Sequence, residues 1–153
     1  MIDKGLKVVI GSDHRGFRLK EEVVSHLSSL GFLCEDMGCF DEASVDYPDL
    51  AQEVTRRVIG EEGVRGILLC GTGIGMSISA NKAPGIRAAL CGDLLSARMC
   101  RLHNDANVLC IGAGMVGIWQ ALEMIEAFLS TPFEAGRHTR RVEKIHDLED
   151  KKV

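Results

Sequence analysis

The sequence lacks a long uninterrupted run of apolar residues. Its first apolar segment, Leu6–Ile10, is far shorter than the roughly 20 residues of a membrane-spanning helix, and it lacks the flanks of a secretory signal peptide. No internal repeat, low-complexity segment or linker-like stretch interrupts the 153 residues. We therefore expect a cytoplasmic protein with a single domain over residues 1–153 and no association with membranes.

An excess of positive charge is also missing. The 18 Lys and Arg residues are outnumbered by 22 Asp and Glu residues, which gives a net charge of −4. A negative protein has no general electrostatic attraction to nucleic acid or to anionic membranes, although a local cationic patch remains compatible with this composition. We expect neither polyanion to be a partner.

Cysteines at the spacing of metal ligands are absent as well. The six cysteines are scattered, and several lie within apolar segments. They are Cys34, Cys39, Cys70, Cys91, Cys100 and Cys110. No two have the close spacing of a zinc site, and the five histidines supply no matching cluster, so we expect reduced thiols and no metal.

Short apolar segments, each closed by glycine or a polar turn, are what the sequence does contain. This pattern is typical of strands that are buried on both faces of a parallel sheet. The predicted strands are Leu6–Ile10, Phe32–Glu35, Ile67–Cys70, Ile86–Leu90 and Val108–Ile111. Amphipathic helical patterns alternate with them. The alternation predicts an α/β fold with a doubly wound, mostly parallel sheet of five strands and right-handed crossovers.

The C-terminal segment has a different character. From Gly136 onward charged residues dominate, and Val142, Ile145 and Leu148 form a narrow apolar stripe. The pattern predicts a helix over residues 136–150. Such a helix needs a partner surface, which a second subunit would supply.

Three predicted strands run directly into turns that contain glycine, at Gly11–Gly16, Cys70–Gly75 and Gly112–Gly117. In a parallel sheet these turns open at one edge, where ligands of such folds bind. Glycine lets backbone amides approach a ligand, and a following helix N-terminus favours anions. Any one turn is equally explained as a simple strand-to-helix connection, but three together favour a ligand site.

The turn at Gly112–Gly117 has the spacing Gly-x-Gly-x-x-Gly, which is typical of dinucleotide-binding proteins. That fingerprint also needs a following strand and an acidic residue about 20 residues further on. Here the distance leads to Pro132 and Glu134, in a predicted loop. The unit is not completed, so a nucleotide-binding module is the weaker hypothesis.

Cys70 differs from the other thiols because it closes a buried strand and opens the glycine-rich turn. A thiol activated by nearby amides is able to act as a base. A small buried hydrophobe is the alternative, and position alone does not separate the two.

Two polar pairs flank other predicted strands. His103 and Asn104 follow a predicted helix over Leu94–Leu102, in a loop where an imidazole would exchange protons near neutral pH. A surface histidine and a helix cap are the alternative. Asp13 and His14 follow the first strand, and Asp13 is equally placed to cap the next helix.

Arg137 and Arg141 are four residues apart, so a helix would place both guanidinium groups on one face, where they suit a phosphate. A solvated basic face is the more usual explanation of such a pair. The spacing alone does not decide between them.

Seven segments, taken in this order, closely resemble ribose-5-phosphate isomerase of the B type. They are Gly11-Ser-Asp-His-Arg-Gly16, Asp46-Tyr-Pro48, Leu69-Cys-Gly-Thr-Gly-Ile-Gly75, Asn81-Lys82, Gly85-Ile-Arg-Ala88, His103-Asn-Asp105 and Gly136-Arg-His138. The resemblance covers nearly the whole chain. It implies a Rossmann-like fold and a homodimer with active sites between subunits, and a dimer of dimers is the alternative assembly. It also implies interconversion of ribose 5-phosphate and ribulose 5-phosphate in the non-oxidative pentose phosphate pathway, without metal or cofactor.

The resemblance also assigns roles to residues. Catalysis falls to Cys70, as the base that moves a proton between C2 and C1, to His103 and Asp13 in ring opening, and to Thr72 in the turn that holds the enediolate. Contacts with the phosphorylated sugar fall to His14, Tyr47, Gly71, Gly73, Gly75, Asn104, Arg137 and Arg141.

Two positions bear on that assignment. Some relatives use a glutamate just after the glycine run as the base, and this chain has Met76 there, which leaves Cys70. Many relatives have an arginine in the last turn, where this chain has Gly114. The second difference shifts phosphate binding toward Arg137 and Arg141 and leaves six-carbon sugar phosphates as alternative substrates.

Overall fold

The computed structural model describes residues 5–151. Strands and helices alternate along the chain. The strands are β1 (Lys7–Ser12), β2 (Leu33–Asp36), β3 (Arg65–Cys70), β4 (Ala88–Leu90) and β5 (Val108–Gly112). The helices are α1 (Phe17–Ser29), α2 (Tyr47–Gly60), α3 (Ile74–Ala80), α4 (Leu94–Asn104), α5 (Ile118–Ser130) and α6 (Thr139–His146), and a 3-10 turn (Gly136–His138) precedes α6.

The five strands form one sheet in the order β2-β1-β3-β5-β4, and every neighbouring pair is parallel. The predicted doubly wound, Rossmann-like α/β fold is therefore confirmed. The chain leaves β1 toward β2 on one side and returns as β3 on the other, which makes a topological switch point between β1 and β3. Ligands of doubly wound folds bind at the carboxyl edge of such a point.

Helices cover both faces of the sheet. One apolar core lies between the sheet and α1, α4 and α5, and includes Val23, Ala97 and Phe128. The other lies beneath α2 and α3, and includes Val54 and Met76. Because both faces are buried, the inner strands are continuous apolar runs. Among the helices of residues 5–151, none combines the length and the apolar character that crossing a bilayer requires.

Several predicted boundaries are corrected by the structure. The first strand extends beyond its predicted end at Ile10 to Ser12. The Ser12 amide donates to the Gly38 carbonyl at 2.7 Å, so the strand continues past the apolar run. The predicted helix over 94–102 extends through Asn104 and ends at Asp105, which adopts the left-handed conformation (φ 47°). His103 and Asn104 therefore lie in the last turn of α4 and not in a loop.

The C-terminal helix predicted over 136–150 is shorter than expected. Gly136 has a positive φ of 54°, and the chain makes a 3-10 turn before α6 begins at Thr139. The helix ends at His146, and Glu149 beyond it accepts a hydrogen bond from the Gly85 amide at 2.8 Å. That side-chain contact holds the chain end against the segment before β4, in place of another helical turn.

Candidate active site

Cys70 ends β3, at the carboxyl edge of the sheet. The residue is 4% exposed and belongs to the apolar core beneath α2 and α3. Its Sγ accepts a hydrogen bond from the Gly73 amide at 3.1 Å, which orients the sulfur toward the turn that follows. Thr72, in that turn, is exposed, whereas Cys70 itself is buried. This position is compatible both with a reactive thiol and with a small buried hydrophobe.

Glycine is required at position 73 of this turn. Its φ is 76°, which L side chains rarely adopt, and a Cβ there would lie 2.6 Å from Leu90 Cδ1 and 2.9 Å from the Gly112 nitrogen. Thr72 Oγ1 accepts from the Ile74 amide at 3.3 Å and so stabilises the start of α3. The conformation that presents Cys70 is therefore fixed locally.

The turns after β3 and β5 are joined by backbone hydrogen bonds. Ala113 donates to the Cys70 carbonyl at 2.8 Å, and Gly114 donates to the Gly71 carbonyl at 2.9 Å. A Cβ at Gly112 would lie 2.5 Å from the Thr72 carbonyl carbon. The glycines of the turn after β5 thus allow it to pack closely against the turn after β3. In residues 5–151 no strand follows α5, so the dinucleotide unit is not completed.

Tyr47 begins α2 and lies against the same turn. A Cβ on Gly75 would be 2.6 Å from the Cε2 and Cζ atoms of its ring, so only glycine at position 75 admits this contact. Pro48, at the first turn of α2, suits a helix start. The ring remains partly exposed.

Asp13 and His14 follow β1 on the other side of the switch point. The buried Asp13 carboxylate accepts from the amides of Arg15 at 2.9 Å and Gly16 at 3.0 Å through Oδ1. Asp13 therefore stabilises the turn before α1. It is not the helix cap that the sequence also allowed, because α1 begins after Gly16 and no side chain caps it. His14 Nδ1 accepts from the Val45 amide at 3.3 Å, which leaves the proton of a neutral ring on Nε2.

These residues form one group, which we call the carboxyl-edge cluster: Asp13, His14, Tyr47, Cys70 and Gly71–Gly75. The Asp13 amide donates to the Leu69 carbonyl at 3.1 Å, which joins the turns after β1 and β3 directly. The structure thus brings together eight of the twelve predicted site residues.

The remaining predicted residues lie elsewhere. His103 and Asn104 end α4, which runs from the carboxyl edge back to the start of β5 at Val108. Cys70 is paired with Gly112 at the end of β5, four residues beyond Val108. At about 3.3 Å per residue, the two ends of β5 are about 13 Å apart. We call the second group the amino-edge cluster: His103, Asn104, Glu134, Arg137, His138 and Arg141. One chain alone does not bring the two clusters together.

The segment before α6 is attached to the end of α4. Arg101 Nε donates to the Thr131 carbonyl at 3.3 Å, and the Glu134 amide donates to the Leu102 carbonyl at 3.1 Å. Glu134 Oε2 consequently lies 3.8 Å from Nε2 of His103 and 3.8 Å from Nε2 of His138. Sequence analysis missed both Glu134 and the pairing of His138 with His103, because the contacts join residues about thirty positions apart.

His138 is buried, and Arg137 Nε donates to its Nε2 at 3.3 Å. Burial lowers the pKa of His138, and the neighbouring His103, Arg137 and Arg141 lower it further, against an opposing effect of Glu134. The ring is therefore held in its neutral form.

Two histidines and a carboxylate come within 4.8 Å of one another here, at His103, Glu134 and His138, a grouping that the sequence spacing did not predict. The two rings are nearly parallel, so their in-plane lone pairs do not converge on one point. Arg137 also places a positive charge on His138 Nε2. These features do not suit a bound cation.

Arg137 and Arg141 do not share one continuous α-helix, because Arg137 lies in the 3-10 turn and Arg141 lies in α6. Both are exposed. Within the described chain neither guanidinium forms an ion pair. Both remain free to meet an anion.

Comparison with known proteins adds an independent line of evidence. A family profile described as Ribose/Galactose Isomerase matches residues 8–145. The chain is 44% identical to ribose-5-phosphate isomerase B of Escherichia coli (strain K12) over 146 residues, covering 95% of this chain and 98% of that protein. It is 47% identical over 149 residues to a putative sugar phosphate isomerase of Bacillus subtilis (strain 168), covering 97% of this chain and 100% of that protein.

Solved structures agree. The type B ribose 5-phosphate isomerase of Clostridium thermocellum superimposes with a TM-score of 0.92 at 48% identity, covering 94% of this chain and 97% of that one. The type B enzyme of Trypanosoma brucei gives a TM-score of 0.91 at 49% identity, covering 95% and 99%.

Proposed function

The chain belongs to the ribose/galactose isomerase family, and we propose that it interconverts ribose 5-phosphate and ribulose 5-phosphate, as a cytoplasmic enzyme of the non-oxidative pentose phosphate pathway. The observation that carries the proposal is the position of Cys70. It combines a thiol with the Gly71–Gly75 turn at the switch point of a parallel sheet, where such folds bind small ligands.

Cys70 acts as the base in this proposal. The thiolate removes the proton from C2 of the open-chain aldose, and the electron pair moves to form the C1–C2 double bond while the C1 oxygen becomes negative. A proton then passes from the C2 hydroxyl to the C1 oxygen, so that the negative charge moves to the C2 oxygen. As the C2 carbonyl forms, the same sulfur returns its proton to C1. Amides of the Gly71–Gly75 turn, with Thr72 and Gly73 at its centre, stabilise the enediolate oxygen.

Ring opening must come first, because the aldose is largely a closed ring. His103 and Asp13 provide the acid and base for this step. Asp13 uses Oδ1 to hold the turn into α1, and Oδ2 has no hydrogen-bond partner within the described chain. Tyr47 and Asn104 contact the sugar hydroxyls.

Phosphate binding completes the site. His14, Arg137 and Arg141 hold the phosphate, and this contact remote from C2 supplies binding energy that positions the reacting carbons. Neither arginine is neutralised by an acidic partner in residues 5–151, which suits them to a dianion.

A complete site requires a second copy of the chain. His103 and Arg137 lie at the opposite sheet edge from Cys70, so the amino-edge cluster of one subunit meets the carboxyl-edge cluster of its partner in a homodimer. An exposed apolar surface next to the edge strand β4 supports this pairing. Its residues are Ile74, Ile78, Leu90, Leu94 and Leu95.

A second exposed apolar group suits a further contact. It consists of Met115, Ile118 and Trp119, at the start of α5. Pairing of two dimers would cover such a surface. The C-terminal segment after Gly136 carries part of the amino-edge cluster and belongs to the dimer contact in this proposal.

Proton exchange tests the function directly. The protein is incubated with ribose 5-phosphate in heavy water, and NMR is used to follow ketose formation and deuterium at the exchanging carbons. Ribulose 5-phosphate carrying deuterium at C1 is the expected product. Absence of ketose overturns the proposal, and faster turnover of allose 6-phosphate or galactose 6-phosphate in parallel assays moves the substrate to six-carbon sugars.

A further inference from the structure

Arg15 lies directly over the turn that presents Cys70. A Cβ built on Gly71 would be 2.8 Å from Arg15 Nε and 2.9 Å from Cζ, so the guanidinium rests on the glycine backbone. Any other residue at position 71 would displace it. The absence of a side chain at Gly71 therefore lets the Arg15 guanidinium lie against the residue that follows Cys70, the candidate base.

The Arg15 guanidinium has no partner in the part of the chain that the structure describes. No carboxylate or carbonyl there accepts a hydrogen bond from it, and its side chain is exposed. Arg18, three residues further on, differs because its Nε lies 2.6 Å from Glu42 Oε1. The backbone of Arg15 is nevertheless fixed, since its amide donates to Asp13 at 2.9 Å.

The neighbouring positive groups do not duplicate this position. Lys20 is buried and paired with Asp36, and Arg18 is paired with Glu42. Arg137 and Arg141 lie in the amino-edge cluster. Arg15 is thus a free cation that contacts the carboxyl-edge cluster and belongs to the same chain as Cys70.

We propose that Arg15 binds the phosphate of the sugar phosphate substrate and sets the preference of this site for phosphorylated sugars. A guanidinium pairs with phosphate through two parallel N–H···O bonds, and the exposed Arg15 side chain leaves its N–H groups accessible to a ligand. The turn amides are the groups placed to stabilise the enediolate. The inference rests on the proposed function, because it takes a sugar phosphate as the ligand of this site.

The position of Gly114 in the turn after β5 offers a second way to examine the same charge. Gly114 donates to the Gly71 carbonyl, and a Cβ at position 114 would lie 3.0 Å from that oxygen. An arginine introduced there starts next to the turn that Arg15 covers. The double variant Arg15→Met with Gly114→Arg therefore asks whether a cation supplied from the other loop replaces Arg15.

The experiment compares kinetics of Arg15→Met with those of the wild type. We expect KM for ribose 5-phosphate to rise on the order of tenfold, since a charge-assisted pair is lost, with kcat within about twofold. The inhibition constant of inorganic phosphate should rise in the same proportion. Arg15→Lys should recover part of the loss, and Arg18→Met, which removes a nearby exposed arginine in the first turn of α1, should change neither constant.

Unchanged KM and unchanged phosphate inhibition in Arg15→Met overturn the inference. A lower kcat at constant KM also overturns it, because the guanidinium would then act on the reacting oxygens. Binding of inorganic phosphate to wild type and Arg15→Met, measured by calorimetry, separates this result from failure of the proposed function. A protein that does not isomerise ribose 5-phosphate but loses phosphate affinity with Arg15→Met would contradict only the function.

Discussion

The imidazole rings of His103 and His138 are stacked, with their centroids 4.3 Å apart and their planes inclined by 13°. Within this pair His138 is buried and His103 is partly exposed. Two protonated rings at this distance would repel each other, and burial already lowers the pKa of His138. The pair therefore consists of a buried ring whose pKa is lowered and a second ring that is partly exposed.

The lowered pKa of His138 predicts how stability changes with pH. In the unfolded chain a histidine takes up its proton near pH 6.5, whereas folded His138 takes it up only at lower pH. The unfolded state therefore binds more protons as the pH falls below about 6.5, and the free energy of unfolding decreases through that window. Thermal unfolding at pH 7.5 and pH 5.5 should show a larger loss of Tm in the wild type than in His138→Gln. Equal losses would contradict the prediction.

Replacement of Cys70 should separate activity from stability. Cys70→Ala removes the proposed base but little volume, so we expect isomerisation to fall by roughly 100-fold or more, with an unchanged circular dichroism spectrum. Cys110→Ala is the matched control, because Cys110 is a fully buried thiol on the adjacent strand β5, where burial raises its pKa. The control should keep its turnover. Wild-type turnover in Cys70→Ala would exclude this sulfur as the base.

The buried pair of Lys20 and Asp36 should respond unequally to loss of either partner. Lys20 is 1% exposed, and its Nζ lies 2.5 Å from Asp36 Oδ2, whereas the Asp36 side chain is 31% exposed. Asp36→Asn leaves a buried cation without its counter-charge, which costs about 3 kcal/mol or more. Lys20→Met leaves a carboxylate that water reaches, at a cost of about 1–2 kcal/mol.

Urea denaturation of the two variants provides the measurement. Asp36 Oδ1 also accepts from the Gly38 amide at 2.9 Å, a contact that Asn keeps through its own oxygen. The difference in the free energy of unfolding between the two variants therefore measures the cost of leaving the buried Lys20 charge unpaired. A larger loss in Lys20→Met than in Asp36→Asn would contradict this account.

Much of the fold follows from the sequence because the inner strands are buried on both faces. The runs Ile67–Cys70 and Val108–Ile111 lie within β3 and β5, as their continuous apolar character predicts. Strand ends were harder to locate. Ser12 is buried within β1 although it is polar, and Leu33 in the edge strand β2 is 59% exposed although it is apolar. Sequence alone does not show which neighbours satisfy or cover such residues.

The candidate site divides in the same way. Cys70 ends β3 and Asp13 directly follows β1, so parallel topology alone predicts that they lie at the same edge of the sheet. The contact of His103 with Glu134 and His138 depends on how the chain after α5 returns to the end of α4. No local sequence pattern indicates this course of the chain. For this reason the sequence predicted that the turns after β1 and β3 lie together, whereas Tyr47 was assigned only through the family resemblance and the amino-edge cluster only as separate residues.

Subunit complementation tests the proposed assembly of the site. If each site combines Cys70 of one chain with His103 of its partner, a heterodimer of Cys70→Ala and His103→Asn chains contains one site with both defects and one with none. Heterodimers isolated through two different affinity tags should then recover about half of wild-type turnover, although each parent homodimer is nearly inactive. A heterodimer of Cys70→Ala with Cys70→Ala/His103→Asn is the control and should stay inactive, because both of its sites lack the thiol. Inactive heterodimers in the first experiment would mean that both residues act from the same chain, and a rearrangement across about 13 Å of strand would then be required.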